Sequence, residues 1–196
     1  KRSIPVPLPW NQSETIAARM KFAQELPQKA FDRVVIYIDE THFNLSRHKS
    51  RGRQVKGKTP LVQIANFRTK SISMITGLWK EGIVYFHLVR NYGTEKRGTT
   101  AADFRTFLLN LATKPVIRNS VLVMDNHSIH RERQVQDAFI YLKANFNVDI
   151  LFAPPHSPFL NPIEYAFQLI KESVCKNIED QTMAALEGPQ RHLRSP

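Results

Sequence analysis

The stretch Val34-Val35-Ile36-Tyr37-Ile38-Asp39-Glu40 runs apolar without a break and then closes on two acids. A strand turns successive side chains to opposite faces, so an unbroken apolar run means that both faces are covered. Residues 34–38 therefore read as a central buried strand with Asp39 at its end. Val121–Met124 repeats the pattern and closes on Asp125, and Ile150–Ala153 gives a third short buried strand. Ser71–Trp79 and Ile83–Val89 read as two more, joined by a tight Lys80-Glu81-Gly82 turn.

Helical spacing fills the intervals. Thr100 and Asp103 make a capping-box start, after which Phe104, Phe107, Leu108 and Leu111 form one helix face. Val135, Ala138, Phe139 and Leu142 repeat that spacing within 131–145. Ile163, Phe167, Ile170 and Val174 do so after the Pro-rich turn Pro154–Pro162. Upstream, Pro5, Pro7 and Pro9 mark an extended arm. Ser13 is placed to cap a short helix that turns Ile16, Met20 and Ala23 to one side and stops at Leu26, before Pro27. Residues 41–69 read as irregular, and the tail from Glu179 carries little pattern. The order β-β-β-α-β-α-β-α predicts an α/β fold. It calls for a mixed five-stranded sheet, with an antiparallel hairpin on one side, parallel crossovers on the other and helices on both faces. The domain reading is an arm with a short helix over 1–30, a core domain over 31–178 and a tail over 179–196.

Composition narrows the partners. With 28 Lys and Arg against 17 Asp and Glu, the 196 residues carry a formal charge of +11 and a pI near 10.0. Such an excess favours a polyanion, because surface cations displace the counterions condensed on nucleic acid. A 42% hydrophobic and 10% aromatic content excludes a disordered chain. Cys175 is the only cysteine, which excludes an internal disulfide and a cysteine-based zinc site and fits a reducing compartment. No apolar run approaches the roughly 20 residues that cross a bilayer. No signal peptide is read at the start, so no membrane role is expected. The opening Lys1-Arg2, without Met, reads as the start of a piece of a longer protein.

Three carboxylates stand where such a sheet exposes side chains: Asp39, Asp125 and Glu164, the last in the first turn of the final helix. Ligands gather at the carboxyl ends of strands in open α/β sheets. If the first and fourth strands are neighbours, Asp39 and Asp125 lie side by side and Glu164 reaches over from its helix. Hard oxygen ligands suit Mg²⁺ or Mn²⁺. Two such ions, roughly 3.5–4 Å apart, activate a water or 3′-hydroxyl and stabilise the departing oxygen of an in-line displacement. Each acid also has a local reading. Asp39 can cap a turn, Asp125-Asn126 can start an Asx turn, and Glu164 can be the N3 residue of the helix start Asn161-Pro162-Ile163-Glu164. Joint placement at one sheet edge favours the shared site. A zinc site from His127, His130 and His156 is the weaker option, since the acids offer a better oxygen site and cysteines are missing.

Three blocks carry a resemblance. Tyr37-Ile38-Asp39-Glu40-Thr41, Val123-Met124-Asp125-Asn126-His127-Ser128-Ile129-His130 and Pro154-Pro155-His156-Ser157-Pro158-Phe159-Leu160-Asn161-Pro162-Ile163-Glu164 closely resemble those of mariner-superfamily DDE transposases. The likeness covers about residues 31–176, and the third block is its most specific part. It implies an RNase H-like fold shared with retroviral integrases. It also implies Asp39, Asp125 and Glu164 as the catalytic, metal-binding triad, with two Mg²⁺ or Mn²⁺ ions per site. The implied activity is hydrolysis of a phosphodiester and strand transfer in cut-and-paste transposition. The implied partners are double-stranded DNA, both transposon ends and target, and a second copy or larger assembly. The third block looks more like eukaryotic relatives, which implies the nucleus, or else the cytoplasm and nucleoid of a bacterium. Residues 126–163, between Asp125 and Glu164, make a longer interval than in the best-known members, and Phe167 stands where many relatives carry Trp. The family's paired helix-turn-helix DNA readers would precede residue 1. Two other readings remain: a domesticated DNA-binding protein without catalysis, and an RNase H-like structure-specific nuclease.

Further residues gather around this core. Glu40, Asn126, His130 and Asn161 are supporting candidates; Asn126 and His130, at the family's Asp-Asn-x-x-x-His spacing, either orient a ligand or brace the turn. Arg47, Lys49, Arg51, Arg53, Lys56 and Lys58 are the main DNA-contact candidates, with Gly52 and Gly57 allowing close backbone approach. Their place between the first two strands resembles the clamp loop of mariner enzymes, which implies dimer contacts. Arg90, Lys96 and Arg97 form a second basic patch, and Lys171 follows Glu164 by about two turns, roughly on its face.

Overall fold

The structure, a computed structural model, describes residues 8–44, 71–90 and 98–186. After a 3-10 turn at Leu8–Asn11 come α1 (Ser13–Ala30), β1 (Val34–Asn44), β2 (Ser71–Trp79) and β3 (Gly82–Arg90). Next in the chain are α2 (Ala101–Leu111), β4 (Ser120–Met124), α3 (Arg133–Phe146), β5 (Asp149–Phe152) and α4 (Ile163–Leu186). One five-stranded sheet has the order β3-β2-β1-β4-β5. β1, β2 and β3 pair antiparallel, and β1, β4 and β5 pair parallel. This is the mixed five-stranded α/β arrangement that the pattern predicts and that the resemblance implies as RNase H-like.

Strand alternation sorts the core into two layers. Ile36, Ile38, Leu122 and Met124 point to one face and pack with Phe104, Phe107, Leu108 and Leu111 of α2 and Val135, Phe139 and Leu142 of α3. Each of the four α2 residues is at most 1% exposed, and each such side chain contributes about 1.5–3 kcal/mol. The expected capping box is formed: the Thr100 side chain accepts from the Asp103 N–H, and the Asp103 carboxylate accepts from the Thr100 N–H. The odd-numbered residues point the other way. Val35, Tyr37, Val121 and Val123 meet Phe22 and Leu26 of α1, while Tyr37, Phe43 and Leu78 meet Ile163 and Phe167 of α4.

Four expectations need correction. β1 does not end at Asp39; it continues to Asn44, held by β2 alone (Asn44 opposite Ser71) after β4 has stopped at Met124. Residues 41–44 are thus strand, and 45–69 lie outside the described residues. The hairpin turn is Lys80-Glu81, with Gly82 already in β3 at φ 128°, a conformation that glycine alone adopts without strain. α1 starts with Ser13 inside it and no side-chain cap, and it runs through Pro27 to Ala30. Pro27 sits in the last turn, where it removes a single bond, and Arg33 satisfies the Lys29 carbonyl at 3.4 Å. The buried side of α1 carries Thr15 and Phe22, while Ile16 and Met20 are exposed and Ala23 faces outward too. Finally, helical backbone of α4 continues through Leu186, into the stretch whose sequence carries little pattern.

Candidate active site

The parallel register of β1 and β4 ends at Tyr37 opposite Val123. Carried on by one further pleat, it sets Asp39 level with Asp125. Both belong to the odd-numbered series, so both side chains turn toward the face covered by α1 and α4. Glu164 stands in the first turn of α4, on that same face. The result is one cleft of about 430 Å³ whose walls include Asp39, Asp125 and Glu164. Asn126, His127, the turn from Ala153 to Pro158, and Asn161 complete it.

Each acid is held differently. Asp39 is half-buried; its Oδ1 accepts the Glu40 N–H at 2.7 Å, and its Oδ2 accepts the Asn161 side-chain amide at 2.7 Å. Burial pushes its carboxyl up to about 7, opposed by the Glu40 N–H and reinforced by the charges of Asp125, Glu164 and Glu40. Asp125 does start an Asx turn, since Oδ1 accepts the His127 N–H at 3.3 Å, but its side chain stays 60% exposed. Asn161 caps the helix start as the local reading has it, but Glu164 adds no reciprocal cap bond. The Asn161 Oδ1 accepts the Ile163 N–H at 3.3 Å, and among the described residues nothing bonds the Glu164 carboxylate.

The supporting candidates separate into two groups. Asn161 spans the cleft wall: fixing its oxygen on α4 forces its NH₂ toward Asp39, so one side chain ties β1 to the helix that carries Glu164. His130 does not reach the cleft. It is 3% exposed, lies 4.4 Å from the Phe104 ring, and pairs Nδ1 with the Asp125 carbonyl at 2.9 Å. Facing a carbonyl, Nδ1 carries the proton, and burial shifts the imidazole toward its neutral form. His130 therefore braces the turn after β4. Its Nε2 is buried without a hydrogen-bond partner, and among the described residues His127, His130 and His156 form no three-ligand metal group. Asn126 lines the cleft and accepts from Arg131 at 3.1 Å.

Glu40 alternates to the opposite face. There it lines a cavity of about 210 Å³ with His42, Phe104, His127 and His130, which Asp39 and Asp125 also border. Lys171 shares a groove with Glu164, Tyr165 and Gln168, as the two-turn spacing predicts. Arg47, Lys49, Arg51, Arg53, Lys56 and Lys58 lie outside the described residues. Sequence pattern gives no sign of Arg19, on α1. It donates to Ser157 and to the His156 carbonyl across the chain, and nothing in the helical spacing distinguishes it from a surface arginine.

The donor set fits a hard divalent cation: three carboxylates on one cleft, with no Lys or Arg paired to any of them among the described residues. Burial is the main cause of the raised Asp39 carboxyl, and the charges of Asp125, Glu164 and Glu40 add to it. The three side chains line the wall without yet converging, and among the described residues no three His, Cys, Asp or Glu form a ready-made chelate.

Known proteins share the family pattern and the fold. A family model described as DDE superfamily endonuclease matches residues 34–186. An uncharacterized 39 kDa protein of insertion element IS630 from Shigella sonnei is 28% identical over 95 residues, 48% of this chain and 27% of that protein. The fold is similar to that of the Mos1 transposase in a paired-end complex with the left transposon end (TM-score 0.63, 20% identity, 94% of this chain and 58% of that one). It is likewise similar to the Mos1 mariner paired-end complex with Mn (TM-score 0.64, 22% identity, 94% and 58%). The catalytic domain of Mos1 mariner transposase alone gives a TM-score of 0.55 at 17% identity, over 94% of this chain and 86% of that one. At these identities the likeness is one of fold. The chain spans about a quarter of the insertion-element protein and somewhat over half of the paired-end chains.

Proposed function

This chain belongs to the DDE superfamily of endonucleases, and from that membership we propose that it is the catalytic domain of a cut-and-paste DNA transposase of mariner or IS630 type. Residues 31–178 form the catalytic unit in this reading, with 1–30 as an arm and 179–196 as a tail. The observation that carries the proposal is the meeting of Asp39, Asp125 and Glu164, from three distant blocks, on one cleft.

Asp39, Asp125 and Glu164 hold two Mg²⁺ or Mn²⁺ ions in this proposal. Ions held there supply Lewis acidity for hydrolysing a phosphodiester at the transposon end and for joining the freed 3′-hydroxyl to target DNA. Asn161 keeps Asp39 from swinging out of the cleft and fixes the first turn of α4 under Glu164. His130, itself buried, holds the Asp125 backbone from behind. Lys171 and the basic residues Arg47, Lys49, Arg51, Arg53, Lys56 and Lys58 contact DNA phosphates, fixing register without reading sequence. The net charge of +11 supports a double-stranded DNA partner. The working form is a homodimer or larger assembly on DNA, in the nucleus of a eukaryotic host or otherwise in the cytoplasm and nucleoid of a bacterium.

The test is strand transfer of a precleaved DNA end, bearing a free 3′-hydroxyl, into a plasmid with Mn²⁺ or Mg²⁺. The wild-type chain joins the strands, and Asp125→Asn abolishes joining while DNA binding persists. Joining that survives in Asp125→Asn sinks the assignment. DNA binding with no Mn²⁺ uptake would point to a domesticated binding protein, and cutting of branched or hybrid substrates without joining would point to a structure-specific nuclease.

A further inference from the structure

One guanidinium reaches from α1 to the turn that builds the cleft wall. Arg19 donates Nε to Ser157 Oγ at 2.7 Å and Nη2 to the His156 carbonyl at 2.8 Å, and lies 5.1 Å from the centre of the Phe159 ring. Ser157 is 5% exposed and its hydroxyl donates a hydrogen bond to the Pro155 carbonyl at 2.9 Å.

The turn needs a donor from outside. Pro154, Pro155, Pro158 and Pro162 have no N–H, so the segment has few backbone donors with which to fasten itself. His156 sits at φ 52°, in the left-handed region that a residue with a side chain adopts only when its surroundings hold it there. Arginine, with five donors in a rigid fork and a flat face that stacks on aromatic rings, can hold three neighbours of this turn at once. Directly after the turn the chain forms the working wall of the cleft: Asn161, bonded to Asp39, then Glu164.

We propose that Arg19 is a positioning residue of the active site, holding turn 156–159 so that Asn161 and Glu164 face Asp39 and Asp125. α1 is then a working part of the site, although the family match begins only at residue 34. The inference rests on the metal-site reading of the three acids.

The experiment uses the full chain with Arg19→Lys, Arg19→Ala and Ser157→Ala, read by amide hydrogen exchange and by Mn²⁺ titration. Exchange should speed up in residues 154–164 and stay unchanged in β1 and β4. Mn²⁺ affinity should fall roughly 10-fold to 100-fold, as when a partner that orients a metal ligand is lost. Lysine keeps the charge but not the two-point hold, so Arg19→Lys should fall between wild type and Arg19→Ala; if alanine fails to fold, the lysine and Ser157→Ala variants decide. Unchanged exchange in the turn overturns the proposal, and so does a loosened turn with wild-type Mn²⁺ affinity. If the wild-type chain takes up no Mn²⁺ at all, the metal-site reading falls and the positioning role falls with it. Equal Mn²⁺ uptake by wild type and variants removes Arg19 alone.

Discussion

Replacing Asn161 by alanine removes two bonds made by one side chain, and the structure sets the size of the loss. The bond to Asp39 Oδ2 at 2.7 Å is a hydrogen bond to an ionisable group, worth about 1.5–3 kcal/mol when that group is charged. The bond to the Ile163 N–H is a helix cap, worth about 1 kcal/mol. Asn161 is only half-buried, so water replaces part of both, and a net loss of roughly 2–3 kcal/mol is expected. In a domain of this size that lowers Tm by roughly 4–12 °C. Asn161→Ser should lose less, because serine still offers a capping oxygen but is too short to reach Asp39. The assay is urea unfolding of metal-free protein at pH 8, run as a double-mutant cycle with Asp39→Ala. A coupling of about 1 kcal/mol or more is expected between residues that share a bond of this kind. Additivity within about 0.3 kcal/mol would refute the claim that Asn161 and Asp39 act together.

Two further outcomes come from the charges. Arg33 bonds the Asp149 carboxylate and donates to the Ser120 and Asn147 carbonyls at 2.7 Å each, joining the starts of β1, β4 and β5. Arg33→Met should cost about 2–4 kcal/mol, because it strands partly buried acceptors; thermal unfolding with Tm unchanged would contradict this. The hydrogen bond from Arg33 holds the Asp149 carboxyl below its ordinary value. That stabilisation is present above the unfolded value of 3.8 and is lost as pH falls through the folded one, so the Arg33→Met deficit should shrink in acid. Asp39 has the opposite sign. Its folded carboxyl is raised from 3.8 to about 7, so metal-free protein loses stability as pH climbs through that window, by up to about 1.4 kcal/mol per unit. Asp39→Asn should flatten that slope, and Mn²⁺ binding at pH 6 should release a proton, measurable by calorimetry in two buffers. A wild-type slope shared by Asp39→Asn would show that another group is responsible.

Local pattern makes much of this molecule legible. Buried runs such as Val121–Met124 and helix faces such as Phe104 to Leu111 come directly from strand and helix periods, whereas the pairing of β1 with β4 that brings Asp39 beside Asp125 is a condition in the sequence and is met only in the fold. The errors fall where function or distant contacts override pattern. Residues 41–44 read as the start of an irregular basic segment, yet they are strand; His42 lines a cavity wall, Phe43 packs against the α4 cluster, and β4 does not extend far enough to pair with them. The inward face of α1 escapes the pattern because a helix this weakly amphipathic takes its facing from the sheet and from Arg19, not from its own apolar residues. His130 and Glu164 show the same limit from the other side. Spacing puts both near the site, but only the fold reveals that one is buried beside Phe104 and that the carboxylate of the other is left free of the helix cap that Asn161 makes. Arg19 leaves no trace in the sequence, since its partners lie more than a hundred residues downstream.

The most direct measurement is anomalous diffraction from crystals of the wild-type chain soaked in Mn²⁺ at pH 8. The account predicts manganese peaks bonded to carboxylate oxygens of Asp39, Asp125 and Glu164, absent from Asp125→Asn crystals. Manganese lodged instead with Glu40 and His42 on the opposite face, or a peak that leaves Glu164 uncoordinated, would contradict it.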